Sequence, residues 1–239
     1  MTGVAMGGVA TGGGAMTGDT QQGQAGQNEA GLVLYGNGLS RARIVRWLLE
    51  EIGCPYRMEP VDHRAPTRPA GFEAISPLGK VPVLRHGELV MTETPAICAY
   101  LADRFPQPGL APAPGETRAR GLYYQWLFFT AGPLEAATTN RRLGIEPARE
   151  GPSFVGHGGP SGGLERLVAL VGEALTPGPC LLGERFTAAD LYLAAGLDFN
   201  IRLGLVQPGR VLAAYVARLI ERPAARRARQ LDAAEIAQG

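Results

Sequence analysis

The stretch that decides the fold is Gly79-Lys80-Val81-Pro82-Val83-Leu84, followed a few residues later by Glu93-Thr94-Pro95-Ala96-Ile97. A proline between β-formers has no N–H for a ladder, so Pro82 marks a sheet edge or a turn into a strand. With a cis Val81-Pro82 bond the Val81 backbone faces solvent, where its free N–H and C=O can pair with an extended peptide as a further strand would. Glu93 supplies a carboxylate suited to an amine, and Thr94 supplies a helix N-cap hydroxyl suited to a carboxylate. Together they read as a site for a small peptide with free ends.

Working outward, Leu32-Val33-Leu34-Tyr35 is a short β-like run closed by the turn formers Gly36-Asn37-Gly38. Ser40 opens a helix in which Ile44, Val45, Leu48, Leu49 and Ile52 fall at helical spacing, stopped by Gly53 and Pro55. A strand over 56–61, a helical turn over 72–75 and a hairpin of Val83-Leu84 with Leu89-Val90-Met91 follow, and Thr94 caps a helix running to about Phe105. The order βαβαββα predicts an α/β layer with mixed parallel and antiparallel strands.

Pro106 to Gly115 is rich in proline and glycine and reads as a linker. Beyond it the pattern is helical over about 116–139, 164–175, 188–203, 211–220 and 224–236, with a Gly- and Pro-rich loop over 147–163 that is expected to be mobile. Thr187-Ala188-Ala189-Asp190 spells a capping box, with Phe186 placed to staple against Leu191. The domain boundaries expected are a disordered tail over 1–31, an α/β domain over 32–107, a linker over 108–116 and an all-helical domain over 117–239.

Composition bounds the function. The 239 residues carry a net charge of +1, with no basic stripe and no apolar run of membrane length, so neither nucleic acid nor a membrane is an expected partner. The C-terminal arginines Arg222, Arg226, Arg227 and Arg229 read as a solvated helix face. Cys54, Cys98 and Cys180 are odd in number and far apart, which disfavours a disulfide framework and suits the cytoplasm. His63, His86 and His157 lack metal-ligand spacing, so no metal is expected. The tail has no lysine or arginine and too little apolar surface to offset its ordering entropy.

An α/β half with Val81-Pro82 and Glu93-Thr94, a linker, and a helical half with the Thr187–Asp190 box resembles the cytosolic glutathione transferase family over about residues 32–236. The resemblance implies a thioredoxin-like N-terminal domain and an all-α C-terminal domain, a homodimer, a detoxification role, and glutathione as co-substrate. It further implies that Lys80, Val81 and Pro82 meet the cysteinyl part of glutathione through the Val81 backbone. Thr94 would hold the γ-glutamyl carboxylate, backed by a positive helix terminus, and Glu93 the γ-glutamyl ammonium. The resemblance also offers His63, Arg64 and Arg68 as residues to reach the glycyl carboxylate.

A thiol with the usual pKa of about 8.5 is a poor nucleophile at neutral pH, and lowering it by two units requires roughly 2.7 kcal/mol of preference for thiolate. In the family the responsible donor lies between the first strand and first helix, where this chain offers Tyr35, Asn37 and Ser40. Ser40 is the first candidate, at the mouth of the helix; it also reads as a plain N-cap. Tyr35 and Asn37 are the alternates. No cysteine lies in this segment, which disfavours a mixed-disulfide mechanism. Tyr123, Trp126 and Phe129 are candidates for the second-substrate pocket and equally for core, and they imply an apolar electrophile. The expected activity is attack of the glutathione thiol on such an electrophile or on a peroxide. The rivals are a glutathione-binding regulatory protein and a glutathione-dependent isomerase, whose Ser-Ser-Cys run is absent.

Overall fold

An unbroken apolar run suits a strand buried on both faces, and Leu32-Val33-Leu34 lies in such a strand, β1 (Leu32–Gly36). The computed structural model describes residues 31–145 and 163–238. The tail before Gly31, His157 and the 147–163 loop short of Gly163 lie outside the described residues.

β1 pairs in parallel with β2 (Tyr56–Pro60) and antiparallel with β3 (Val83–His86), which pairs antiparallel with β4 (Leu89–Met91), giving the order β2-β1-β3-β4. The parallel pair needs a crossover, supplied by helix α1 (Ala42–Ile52). This helix buries Ile44, Val45, Trp47, Leu48 and Leu49 and ends at Gly53, whose φ of +74° lets its N–H reach the Leu49 carbonyl at 2.8 Å. A short helix α2 (Phe72–Ile75) precedes β3, and α3 (Thr94–Arg104) follows β4. Alternation divides the strand residues: Leu34 and Leu84 enter the main core, while Tyr35 and Val83 join a small cluster with Val61 and Phe72 on the other face.

Register then places the chain ends. Gly36 pairs with Pro60, Tyr35 with Val83 and Leu84 with Met91. The chain therefore leaves β1, leaves β2, enters β3 and leaves β4 at the same end of the sheet. Every segment singled out in the sheet half meets there.

The second half comprises α4 (Thr117–Phe129), a π-helical turn (Thr130–Leu134), α5 (Glu135–Leu143), α6 (Leu164–Ala174), α7 (Ala188–Arg202), α8 (Arg210–Ile220) and α9 (Pro223–Gln238). The sequence pattern predicts one helix over 116–139; the structure widens it into the π turn at Pro133, whose missing N–H breaks the regular ladder. Helix α7 is buried nearly all round from Ala188 to Leu197, as befits the central helix. Its capping box forms as the sequence predicts. The Phe186 ring beside it carries the Arg222 guanidinium at 3.8 Å.

Helix α9 returns to pack on α1, and a buried charge marks the contact. Arg46 is 1% exposed and donates to Asp232 at 2.6 Å and to Glu235. The arginine-rich face is less free than its composition suggests. Arg222 binds both carboxylate oxygens of Glu51, at 2.6 and 2.9 Å, and Arg227 reaches Glu50. These pairs tie the C-terminal region to the end of α1.

Candidate functional site

A cavity of about 480 Å³ opens at the sheet end where the chain segments meet, walled on its other side by the helical half. Ser40, His63, Arg68, Lys80 and Val81 line the sheet wall. The helical wall comes from the π turn, α5 and α7 and includes Leu134, Thr138, Tyr192 and Phe199.

Ser40 is the hub of the turn after β1. Its Oγ accepts the N–H groups of Asn37 at 3.3 Å and Ala42 at 3.2 Å, and its hydroxyl donates to the Asn37 carbonyl at 2.8 Å. The sequence opens the helix at Ser40; the structure starts α1 two residues later, with Ser40 folded under its first turn. Asn37 is used at both ends of its amide, Nδ2 donating to the Val61 carbonyl at 3.0 Å and Oδ1 accepting the Leu39 N–H at 3.1 Å. It shapes the turn. Tyr35 packs against Phe72, ring centroids 6.4 Å apart, and is not among the residues lining the cavity.

Two glycines let this turn sit so tightly. At Gly36, with φ +150°, a Cβ would stand 2.4 Å from that of Ala42. At Gly38 it would stand 2.7 Å from the Asp232 Cβ and 3.1 Å from its Cα, so the turn is pressed directly against α9. Gly38→Ala is expected to cost about 2 kcal/mol, as overpacking against backbone does. A thermal melt beside wild type checks this, and an unchanged melting temperature would show that α9 yields freely.

The approach to β3 is pinned by a residue the motif reading passed over. Ser76, 1% exposed, accepts the Lys80 N–H at 3.0 Å and donates to the Lys80 carbonyl at 2.8 Å. Val81 follows, its bond to Pro82 is cis, and the first paired residue is Val83, so the Val81 backbone stands outside the ladder. Arg68 braces the same loop by donating to the carbonyls of Gly79 and Ala65, both at 2.8 Å, and of His63 at 3.0 Å. Its guanidinium is therefore a strut. Arg64 is turned to Asp62. His63 lines the cavity with a buried Nδ1 that has no partner among the described residues.

Glu93 and Thr94 lie at the start of α3, at the same sheet end, but are not among the cavity-lining residues. The sequence makes Thr94 the cap and Pro95 the first helical residue. In the structure Thr94 is already the first, Pro95 the second, and Glu93 flanks them at φ +67°, with no side chain capping the helix. The reason is Glu93's left-handed backbone, which sets the boundary one residue earlier. The Thr94 and Ala96 N–H groups are left outside the helix's own ladder. A non-glycine residue at positive φ costs on the order of 1–3 kcal/mol, and such strain gathers at functional sites. Glu93 also acts on the cavity wall: burial pushes the Tyr192 phenol above its ordinary value, reinforced by charges that include Glu135 and Glu93.

Tyr123 and Trp126 belong to the main core and Phe129 packs against it; none of the three is among the cavity-lining residues. They point inward because α4 packs on α7. The wall they were expected to form is made one turn further on, by the residues from Thr130 to Arg142. Tyr192, two residues past the capping box, lines the cavity as well and was not singled out in the sequence. All three cysteines carry free thiols, none lines the cavity, and burial raises each, Cys98 to about 12.

Fold and site together define a protein with a thioredoxin-like sheet half followed by a helical half, the cavity lying at the sheet's loaded end. The family model for the glutathione S-transferase N-terminal domain matches residues 40–104. Glutathione S-transferase GstA of Escherichia coli O157:H7 is 32% identical over 154 residues, 64% of this chain and 73% of that protein. A stringent starvation protein A homolog of Pasteurella multocida is 27% identical over 187 residues, 74% of this chain and 80% of its own length. Among solved structures, the ternary complex of BphK, a bacterial GST, superposes with a TM-score of 0.69 at 25% identity, covering 84% of this chain and 99% of that one. The chain belongs to the glutathione S-transferase family.

Proposed function

We propose that this protein binds reduced glutathione and activates its thiol for attack on an electrophile or a peroxide, acting in the cytoplasm as a homodimer in detoxification. Residues 32–107 and 117–239 would be its two domains, joined by 108–116. The observation that carries the reading is the convergence, at one sheet end, of the Ser40 turn, the unpaired Val81 backbone and the start of α3 with its free N–H groups. In this arrangement Val81 pairs with the cysteinyl backbone, the Thr94 hydroxyl together with the N–H groups at Thr94 and Ala96 holds the γ-glutamyl carboxylate, and Glu93 meets the ammonium. His63 and Lys80 face the glycyl carboxylate. The Ser40 hydroxyl turns from the Asn37 carbonyl to donate to the sulfur, beside the positive end of α1.

Calorimetric titration with reduced glutathione, and turnover with 1-chloro-2,4-dinitrobenzene and cumene hydroperoxide, test the reading. Binding and turnover of either substrate are expected; failure to bind glutathione sinks the proposal. Thr94→Ala is expected to weaken glutathione about tenfold, or roughly 1.4 kcal/mol, with kcat for the aryl halide nearly unchanged. An unaltered Kd would remove the Thr94 hydroxyl from the site and leave the backbone N–H groups to hold the carboxylate.

A second reading has its own support. The Ser40 hydroxyl is already committed to the Asn37 carbonyl, and one relative bears the name of a stringent starvation protein. A protein that binds glutathione yet turns over neither substrate fits that regulatory reading.

A further inference from the structure

The helical wall of the cavity is more polar than a purely apolar acceptor needs. Glu135, Thr138, Thr139 and Arg142 of α5 all line it, and their spacing of three and four puts them on one helix face. Around them stand apolar groups, including Phe199 at 42% exposure and Leu39 at 47%. Large side chains so exposed inside a concavity leave room for an apolar body.

The cations around the cavity are not equivalent. Arg41 is paired with Glu135, and Arg43 shares Asp198, at 3.4 Å, with Arg202, at 2.7 Å, so both are engaged within the protein. Arg141, next door to Arg142, is spent on Glu165. Arg142 lines the cavity with no hydrogen bond or ion pair among the described residues. A guanidinium stays charged at any pH the protein meets, and its planar fork suits an oxyanion. His63 and Lys80 belong to the opposite, sheet wall, within reach of the peptide. Arg142 is left for whatever lies across from it.

The geometry points to an acceptor substrate with an aromatic or aliphatic body and one acidic group, a carboxylate or sulfonate, held by Arg142 with the Thr139 hydroxyl beside it. The inference rests on the transferase reading of the cavity and sharpens it from an apolar electrophile to an amphipathic, singly anionic one. The body lies against Phe199 and Leu39 while the acid faces α5.

Binding of two unreactive probes tests it without any need for turnover. Calorimetric titrations of 3,5-dinitrobenzoate and 1,3-dinitrobenzene are run on wild type, Arg142→Gln and Arg142→Lys, each with and without saturating glutathione. Wild type is expected to prefer the acid at least tenfold with glutathione present. Arg142→Gln abolishes the preference without weakening the neutral probe, and Arg142→Lys keeps part of it. Equal binding of the two probes by wild type, or binding of neither, overturns the proposal. So does a preference that survives Arg142→Gln, or one that disappears when glutathione is added, since the acid would then be sitting on His63 and Lys80. The glutathione titration made in the same series reports separately on the transferase reading. If glutathione fails to bind while the Arg142-dependent preference persists, the reading falls and the anion site stands.

Discussion

Asp190→Ala is expected to destabilise the protein by about 4 kcal/mol, the sum of several orphaned buried donors. The carboxylate is fully buried and accepts four hydrogen bonds. Oδ1 takes the Leu181 N–H at 2.8 Å and the Tyr215 hydroxyl at 3.1 Å, and Oδ2 takes the Thr187 N–H and hydroxyl, each at 2.9 Å. Removing it strands two backbone N–H groups where water cannot reach and frees the start of α7, around which the helical half is packed. For a chain of this size the melting temperature should fall by about 10 °C. Burial pushes the Asp190 carboxyl up while the four donors pull it down, and burial prevails. The oxygens matter more than the charge. Asp190→Asn should therefore lose about half as much as Asp190→Ala, because one oxygen remains to accept and one N–H meets an amide nitrogen instead. Urea melts of the two variants beside wild type decide it, and an alanine variant within 1 kcal/mol of wild type would show that the box is ornamental.

Ser40→Ala is expected to lower kcat/KM for the aryl halide about 100-fold, near 2.7 kcal/mol of transition-state stabilisation. The titration of bound glutathione, followed by thiolate absorbance, should move to higher pH while its Kd changes little. A stability loss of about 1 kcal/mol accompanies this, because two N–H groups lose the Ser40 oxygen. Tyr35→Phe is the control: its ring lies in the Phe72 cluster, so the thiol titration should not move. If Ser40→Ala leaves that titration in place, Ser40 is a turn former only and the activator lies elsewhere.

Legibility in the sequence followed the range of the interaction. The strand order of elements, the stop at Gly53 and the Thr187–Asp190 box are written in residues a few positions apart, and each formed as expected. The break at Pro133 was written there as well, and the apolar periodicity on either side of it masked it. Ser76 gave no signal, since its two bonds to the Lys80 backbone depend on how the 76–80 turn closes. The aromatic residues of α4 offered periodicity without direction, and periodicity says that a face is buried without saying against what. Tyr123 and Trp126 went to the core, and a polar face of α5 took the wall.

By itself the sequence determined which residues could serve a small peptide: Val81 before a proline, Glu93-Thr94 at a helix start, Ser40 after a glycine turn. Each is a local pattern, fixed by proline's missing N–H, by helix-end chemistry and by turn geometry. Only the tertiary structure decided that they meet. The antiparallel entry of β3 and exit of β4 beside the parallel exits of β1 and β2 bring them to one end of the sheet. The same packing pressed Gly38 onto Asp232, turned Glu93 to positive φ and left Arg142 on the cavity wall with no ion pair among the described residues. Those features depend on residues far apart in the chain, whose approach no short stretch of sequence encodes.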